Sequence, residues 1–395
     1  MYLTSFIHRD ALFDIAERWL CGRLEPDDGL RITQILICDD FVLGETLKRF
    51  ARLLLDITHG SSCNEKHISL KGELRDAICR SVRDRNRRVE ELADLYRSNP
   101  EFFYREAPIN GVLYLDEDHC LLGISRIKRP RRIAEKANRY VANWIFQVVQ
   151  KRAQAMAERR AREYAVPLER LITPREVMER EFVAAEKAIG QQFREGTIKL
   201  DREAVTIHDV GGVKIVADAG RLARLEKALT GNPRVSVVEK TIFSGNYQAT
   251  SVIVDVPWDP EHTCRRYMES RAWENYGNRG IPEAELRKGL EPFLEQAQPN
   301  LNLELILSTF PDMVESELGN CLHEERIIVQ RDNKIYKGYI PMNVEFIIEY
   351  LLAVGMSPRV SIDHLPIKLW GRYLPDTVLD EIRALYRIPG YDQTF

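Results

Sequence analysis

The chain has 395 residues, of which 44% are hydrophobic and 30% charged, and its formal net charge is -3. This length and composition predict a folded protein of two or three domains, and the near-neutral charge excludes a general electrostatic attraction to nucleic acid or membrane surfaces. Seven scattered cysteines, none in a C-x-x-C pair, argue against a disulfide framework and against a thiolate zinc site. Because no stretch reaches the roughly 18 apolar residues of a membrane span, we expect a cytoplasmic protein without a membrane partner.

The first half of the chain is predicted to be mainly helical. Apolar residues recur at three- and four-residue steps through residues 1 to about 105, for example in "GETLKRFARLLLDIT". The segment 111–128 predicts a β-hairpin with "DEDH" as its turn. A long helix is then expected from Pro130 to about Tyr164. A second helix is announced by "TPREVMEREF", in which Thr173 is the N-cap, Pro174 the first helical residue and Glu176 the end of a capping box. Together the two helices predict a helical hairpin.

Strands and helices alternate in the second half. Residues 204–218 predict a strand, "AGRLARLEKALTG" a helix, and "VSVVEKTIF" and "QATSVIVDVPW" two further strands around the turn "SGN". Residues 259–300 look helical and rich in loops, and "LNLELILSTF" predicts a strand that leads into an acidic helix. At the C-terminus, "RIIVQRDNKIYKGYI" predicts a hairpin and "NVEFIIEYLLAVG" an apolar helix.

This order predicts an α+β fold with a mixed β-sheet core. We divide the chain into a helical N-terminal domain (1–110), a hairpin with a basic helical hairpin (111–203), a core (204–325, with an insertion at 258–300) and a C-terminal hairpin with helices (326–395).

Two carboxylates lie in predicted strands that are far apart in sequence, Asp209 and Glu304. A sheet can bring both onto one face, and one or two carboxylates with a phosphate ligand are the usual way in which proteins hold Mg²⁺. The alternatives are a strand-end carboxylate that binds nearby amides for Asp209, and a solvent-facing position or a buried salt bridge for Glu304.

A basic segment precedes the core. Residues 126–164 carry twelve Lys or Arg against three Glu, a local charge of +9. Such clustering suits the phosphates of a nucleotide or of RNA, although a solvated helix face is the commoner reason for a charge run. Tyr247, directly after a tight turn, could lie beneath a base or pack on a strand end, and His323 alone is more typical of a helix surface.

In combination these features resemble the synthetase domain of the RelA/SpoT family of alarmone nucleotidyltransferases. The family's E-I-Q-I-R-T motif, followed by a helix with A-E and then His, is similar to "ELILST", "SELG" and "LH", which supply Glu304, Thr309, Glu317, Gly319 and His323. The family's D-I-x-G-x-R-I-I strand is similar to "DVGGVKIV", its N-G-Y-Q-S turn to "GNYQAT", and its R-x-K-x-x-x-S-I-x-x-K segment to "RIKRPRRIAEK".

The resemblance implies a nucleotidyltransferase-like core that binds ATP, Mg²⁺ and a guanine nucleotide or the 3′ end of an RNA. Asp209 and Glu304 would be the catalytic and metal-binding residues. The implied nucleotide-binding residues are Arg126, Lys128, Lys136, Lys214, Lys240, Tyr247, Gln248 and His323. Lys214 stands where an arginine is frequent, and Lys240 would substitute for the loop lysine whose place Phe243 takes.

Other departures leave three functions open. Arg132 replaces the expected serine, Ile306 and Ser308 replace the Gln and Arg of the Glu motif, and residues 137–203 form a helical insertion. The chain could be an active pyrophosphokinase-like enzyme, a degenerate member that binds nucleotide without turnover, or an RNA-binding scaffold that uses the basic helix 126–164.

Overall fold

The computed structural model describes residues 1–60, 63–81, 86–168, 174–244, 248–319, 339–357, 361–362, 364–366 and 369. The helices are α1 (Arg9–Leu20), α2 (Asp28–His59), α3 (Lys71–Arg80), α4 (Arg87–Ser98), α5 (Pro130–Glu163), α6 (Arg175–Glu195), α7 (Ala219–Thr230), α8 (Pro260–Glu269), α9 (Glu283–Leu286), α10 (Phe310–Leu318) and α11 (Tyr339–Val354). The strands are β1 (Tyr2–Leu3), β2 (Asn64–Leu70), β3 (Pro108–Leu115), β4 (Leu121–Ile127), β5 (Thr206–Ile207), β6 (Gly211–Val216), β7 (Ser236–Phe243), β8 (Ala249–Pro257) and β9 (Asn300–Ser308).

Several helices begin at a polar residue that binds the first-turn amides. The side chains of Asn86, Asp218, Asp259 and Thr309 accept a hydrogen bond from a backbone N–H at the start of α4, α7, α8 and α10. Such caps satisfy donors that have no partner within the helix. The cap at Thr309 also fixes where β9 ends and α10 begins.

Seven strands form one mixed sheet, in the order β2-β3-β4-β6-β9-β8-β7. β6 and β9 run parallel, and the other neighbouring pairs are antiparallel. β1 and β5 form a separate parallel ladder of two residues each. The predicted α+β class with a mixed sheet is confirmed.

The two faces of the sheet carry different cores. On β9, Leu301, Leu303, Leu305 and Leu307 belong to the large hydrophobic core, which also contains side chains of α1, α2, α5 and α11. On the other face a smaller core joins β2, β3 and β4 to α3, α4 and α10. Glu304 points to this second face and is only partly buried, so polar side chains of β9 lie beside the smaller core.

The structure confirms the predicted hairpin at 111–128 as β3 and β4, and the predicted helical hairpin as α5 and α6, whose Trp144 and Phe193 rings are 6.4 Å apart. It differs at Pro174, which is the N-cap of α6 rather than its first helical residue, while Thr173 lies outside the described residues. The predicted C-terminal hairpin also lies outside them, except for its last two residues, which begin α11.

Two further predictions need correction. Residues 64–70 form β2 rather than a helix, because their backbone pairs with β3. The predicted strand at 204–218 is divided into a 3₁₀ turn, β5 and β6, because β5 pairs with β1 while β6 joins the main sheet. Asp209 therefore lies between two strands rather than within one. In the described part of the chain, no helix is long and apolar enough to cross a membrane.

Candidate active site

Asp209 and Glu304 meet at the parallel pair β6–β9. Gly212 lies directly opposite Glu304 in the ladder, and Asp209 precedes Gly212 by three residues. The ammonium group of Lys128, just after β4, is 2.7 Å from Asp209 Oδ2 and 3.9 Å from Glu304 Oε2. The two carboxylates therefore lie on the same side of the sheet. The distance from Asp209 Oδ2 to Glu304 Oε2 is at most the sum of their distances to Lys128 Nζ.

Asp209 is held by two lysines. Lys136 Nζ, from the second turn of α5, lies 2.6 Å from Asp209 Oδ2, the oxygen that Lys128 also contacts. Burial alone would raise the pKa of Asp209, but Lys128 and Lys136 lower it well below its usual range. The other oxygen, Oδ1, is buried and has no hydrogen-bond partner among the described residues. Asp209 is thus ionised at neutral pH, with one oxygen still able to accept a cation or a donor.

Glu304 is fixed from the neighbouring strand. Ser251 Oγ, on β8, donates a hydrogen bond of 3.0 Å to Glu304 Oε1, and Oε2 faces Lys128. About a quarter of the side chain is exposed. A carboxylate in this strand is therefore tolerated because a hydroxyl and an ammonium group face it.

A second group of charges continues the site toward α10. Arg126 Nη2, at the end of β4, lies 3.0 Å from Glu317 Oε1, and Lys214 Nζ, on β6, donates to Ser316 Oγ at 3.2 Å. Burial opposes ionisation of Glu317, but Arg126, Lys214, Arg75 and Lys71 lower its pKa to about 2. Arg126, Lys128, Lys136 and Lys214 thus form a basic cluster around the two carboxylates.

The structure does not bring all predicted residues into this cluster. Lys240, on β7, lies opposite Val252 of the large core and pairs with Glu226 of α7, on the face of the sheet away from Glu304. Gln248 is exposed, and its backbone N–H donates to Asp312 Oδ1 at the start of α10. Tyr247 and His323 lie outside the described residues.

Three residues that depart from the family pattern, Ile306, Ser308 and Phe243, lie on β9 or at the end of β7. Ile306 is half-buried on the same face of β9 as Glu304. Ser308 is buried, and its hydroxyl donates to the carbonyl of Thr309. Phe243 ends β7 opposite Ala249.

His208 and Tyr140, two residues with aromatic rings near the cluster, were given no functional role from the sequence. His208 Nδ1 lies 2.9 Å from Thr4 Oγ1 and 3.0 Å from Asn302 Nδ2, so the start of the chain and β9 hold the ring next to Asp209. The ring centroid of Tyr140 lies 5.5 Å from Lys136 Nζ. The available signals were local: His208 directly precedes Asp209, and Tyr140 follows Lys136 by one helical turn.

The donor set fits a magnesium ion with a phosphate ligand. Mg²⁺ needs only one or two carboxylates and keeps several of its water ligands. Asp209 Oδ1 is buried and has no partner in the part of the chain that the structure describes, and Glu304 Oε2 has only the longer, 3.9 Å contact with Lys128 there, so each carboxylate could offer one oxygen to the ion. Lys128, which now contacts both carboxylates, would have to move toward the phosphates.

No protein-family model and no curated protein matches this chain.

Proposed function

We propose that this protein is a Mg²⁺-dependent pyrophosphokinase of the RelA/SpoT type, which transfers a pyrophosphoryl group from ATP to the 3′-hydroxyl of GDP or GTP, giving a guanosine alarmone, or to the 3′ end of an RNA. The observation that carries the proposal is the contact of Asp209 and Glu304 with the same ammonium group. These two residues are 95 positions apart in the sequence, and the motifs that resemble the family predict both of them.

The residues of the cluster have separate tasks in this proposal. Asp209 and Glu304 would hold Mg²⁺, which when bound neutralises phosphate charge. Lys128 and Lys136 would bind the phosphates of ATP, with Arg126 and Lys214 beside them. Catalysis of phosphoryl transfer depends mainly on such positioning and charge stabilisation.

The reaction forms a bond between the acceptor 3′-oxygen and the β-phosphorus of ATP, and it breaks the bond from that phosphorus to the bridging oxygen of the α-phosphate. AMP leaves with the electron pair of the broken bond. Glu304 is the candidate to take the proton of the 3′-hydroxyl, since it is a partly exposed carboxylate at the centre of the cluster.

A second candidate function is nucleotide binding without turnover. Ile306 favours it, because this side chain lies on the same face of β9 as Glu304 and brings no hydrogen-bond donor where the family has a glutamine. A third is RNA binding along α5. This helix begins at the cluster, is about 50 Å long, and carries exposed basic residues far from the cluster, including Lys151 and Arg159.

The test is to incubate the protein with labelled ATP and Mg²⁺ and with GDP, GTP or total tRNA as acceptor, and to measure AMP release and labelled product. We expect Glu304→Gln and Asp209→Asn each to lower the rate by about a hundredfold or more. Glu226→Gln is the matched control, because Glu226 also pairs with a lysine but lies on the opposite face of the sheet. Its rate should equal that of the wild type.

The alternatives give different results in the same experiment. Saturable ATP binding without any product would favour the second candidate. RNA binding that weakens steeply with salt and does not depend on ATP would favour the third. A rate that is unchanged in Glu304→Gln would contradict the proposed enzyme.

A further inference from the structure

We propose that Tyr140 is the stacking platform for the base of the nucleotide whose phosphates bind at Lys128 and Lys136. This inference rests on the proposed function, and it goes further by assigning a base-binding position to a residue of the helical insertion. It depends on contacts of α5 that neither the motifs nor the resemblance predicted.

Lys136 connects the ring of Tyr140 to the basic cluster. Both residues are on α5, one turn apart, so their side chains lie on the same side of the helix. Lys136 Nζ is 5.5 Å from the ring centroid and 2.6 Å from Asp209 Oδ2. The aromatic ring is therefore one side chain away from the carboxylate that would hold the metal.

The surroundings of the ring are those of a platform rather than of a core residue. Tyr140 is half-buried and packs against the edge of the large core. Its hydroxyl has no hydrogen-bond partner among the residues that the structure describes. The ring is thus supported by the core and lies beneath the ammonium group of Lys136, while part of the side chain remains open to the solvent.

A nucleoside phosphate matches this arrangement. Its phosphates require cations such as Lys128 and Lys136, and its base has an aromatic face that stacks on tyrosine rings in a sequence-tolerant manner. Because Lys136 is already paired with Asp209, the ring is not needed to stabilise its charge. The combination of ring, cations and carboxylates is therefore explained better by a nucleotide than by the packing of α5.

A transferase of this kind needs two base positions, and the fold separates them. Asp209, Lys136 and Tyr140 lie toward the end of the sheet where β6 and β9 begin. Gln248, next to the predicted stacking residue Tyr247, contacts Asp312 beyond the opposite end of β9. We therefore assign Tyr140 to the base of the donor.

The experiment compares the binding of a non-hydrolysable ATP analogue with that of inorganic tripolyphosphate, both with Mg²⁺, by calorimetry. Tyr140→Leu should weaken binding of the ATP analogue by about 5- to 150-fold. It should leave tripolyphosphate binding unchanged, because that ligand has no base. Tyr140→Phe and Tyr140→Trp should keep the wild-type affinity for both, and Tyr164→Leu, an exposed tyrosine at the far end of α5, is the matched control.

The results separate this inference from the proposed function. If the folded wild type binds neither ligand, both proposals fail. If the wild type binds the ATP analogue and Tyr140→Leu binds it equally well, only the stacking role fails. An equal loss of affinity for both ligands in Tyr140→Leu would mean that Tyr140 merely supports Lys136, and this would also overturn the inference. In that case Tyr140→Phe shows whether the aromatic ring itself maintains the fold.

Discussion

At the scale of single residues, the site depends on carboxylates that stay ionised despite burial. Glu317 is the clearest case beside Asp209, because Arg126 and Lys214 face it from neighbouring strands. A buried carboxylate is stable only when such partners compensate the lost solvation. Glu317 thereby anchors α10 to β4 and β6, at the side of the basic cluster.

This pairing predicts a pH-dependent effect of Glu317→Gln. The pKa of Glu317 is lowered from 4.5 to about 2 by its basic neighbours, so its contribution to stability is present above pH 4.5 and is lost as the pH falls toward 2. We expect the variant to be less stable than the wild type by about 1.5 to 3 kcal/mol at neutral pH. The difference should shrink between pH 4.5 and pH 2, measured by urea unfolding. Glu261→Gln, at an exposed position of α8, should show no difference at either pH.

At the scale of elements, the site requires β6 and β9 to approach closely. A Cβ atom on Gly212 would lie 2.8 Å from the carbonyl oxygen of Glu304 and 3.1 Å from its Cβ. The backbone oxygen cannot move without disturbing the ladder between the two strands. A glycine at this position therefore sets the distance between the strands that carry the two carboxylates.

Gly212→Ala should accordingly weaken the fold and the site together. We expect a loss of about 1 to 3 kcal/mol in the free energy of unfolding, the usual cost of overpacking, together with weaker binding of ATP. Gly44→Ala is the control, since a Cβ on Gly44 in α2 meets no atom of the described residues within 4 Å apart from its chain neighbours and the backbone of its own helix. That variant should be as stable as the wild type or more stable by up to about 1 kcal/mol. Equal stability of Gly212→Ala and the wild type would contradict the close approach.

The sequence predicted those elements whose own pattern determines them. The β3–β4 hairpin and the α5–α6 hairpin follow from local periodicity and from the turn and proline signals around them. β2 was not predicted because its sequence, "NEKHISL", is mostly polar. It forms an edge strand only through its pairing with β3. The interruption between β5 and β6 at His208 was not predicted, because the alternation of apolar and polar residues continues through it. The pairing that separates the two strands is that of β5 with β1, which joins residues about 200 positions apart. The spacing of the motifs predicted Asp209 and Glu304 as candidate site residues. It could not predict that the side chain of Lys240 would lie on the face of β7 away from Glu304.

At the scale of the whole molecule, the first residues of the chain are part of the core rather than of a separate N-terminal unit. Ser5 Oγ donates to the carbonyl of Asn302, and His8 joins Asp39 of α2 to the carbonyl of Phe293 in the segment before β9. Both ring nitrogens of His8 are engaged, so this buried His–Asp pair, with Cys38 nearby, has no imidazole nitrogen left for a metal. The predicted boundary near residue 110 falls within β3.

His8→Ala should therefore destabilise the whole protein. It removes the imidazole that pairs with the fully buried carboxylate of Asp39, at a cost of about 3 to 5 kcal/mol. Replacing both residues by leucine should cost less than His8→Ala alone, because no uncompensated charge remains. Urea unfolding of the single and double variants measures the difference. If His8→Ala unfolds at the same urea concentration as the wild type, the contacts of His8 with Asp39 and Phe293 do not hold the first residues of the chain in the core.

In the proposed site, Asp209 and Glu304 bind one metal ion together with a nucleotide. The decisive measurement is a crystal structure with Mn²⁺ and a non-hydrolysable ATP analogue, analysed by anomalous scattering. We predict a single manganese peak at a coordination distance of about 2.1 Å from an oxygen of each carboxylate, with Lys128 moved onto the phosphates. A peak elsewhere, or a bound nucleotide that leaves both carboxylates on Lys128 without metal, would show that Asp209 and Glu304 do not form a metal site.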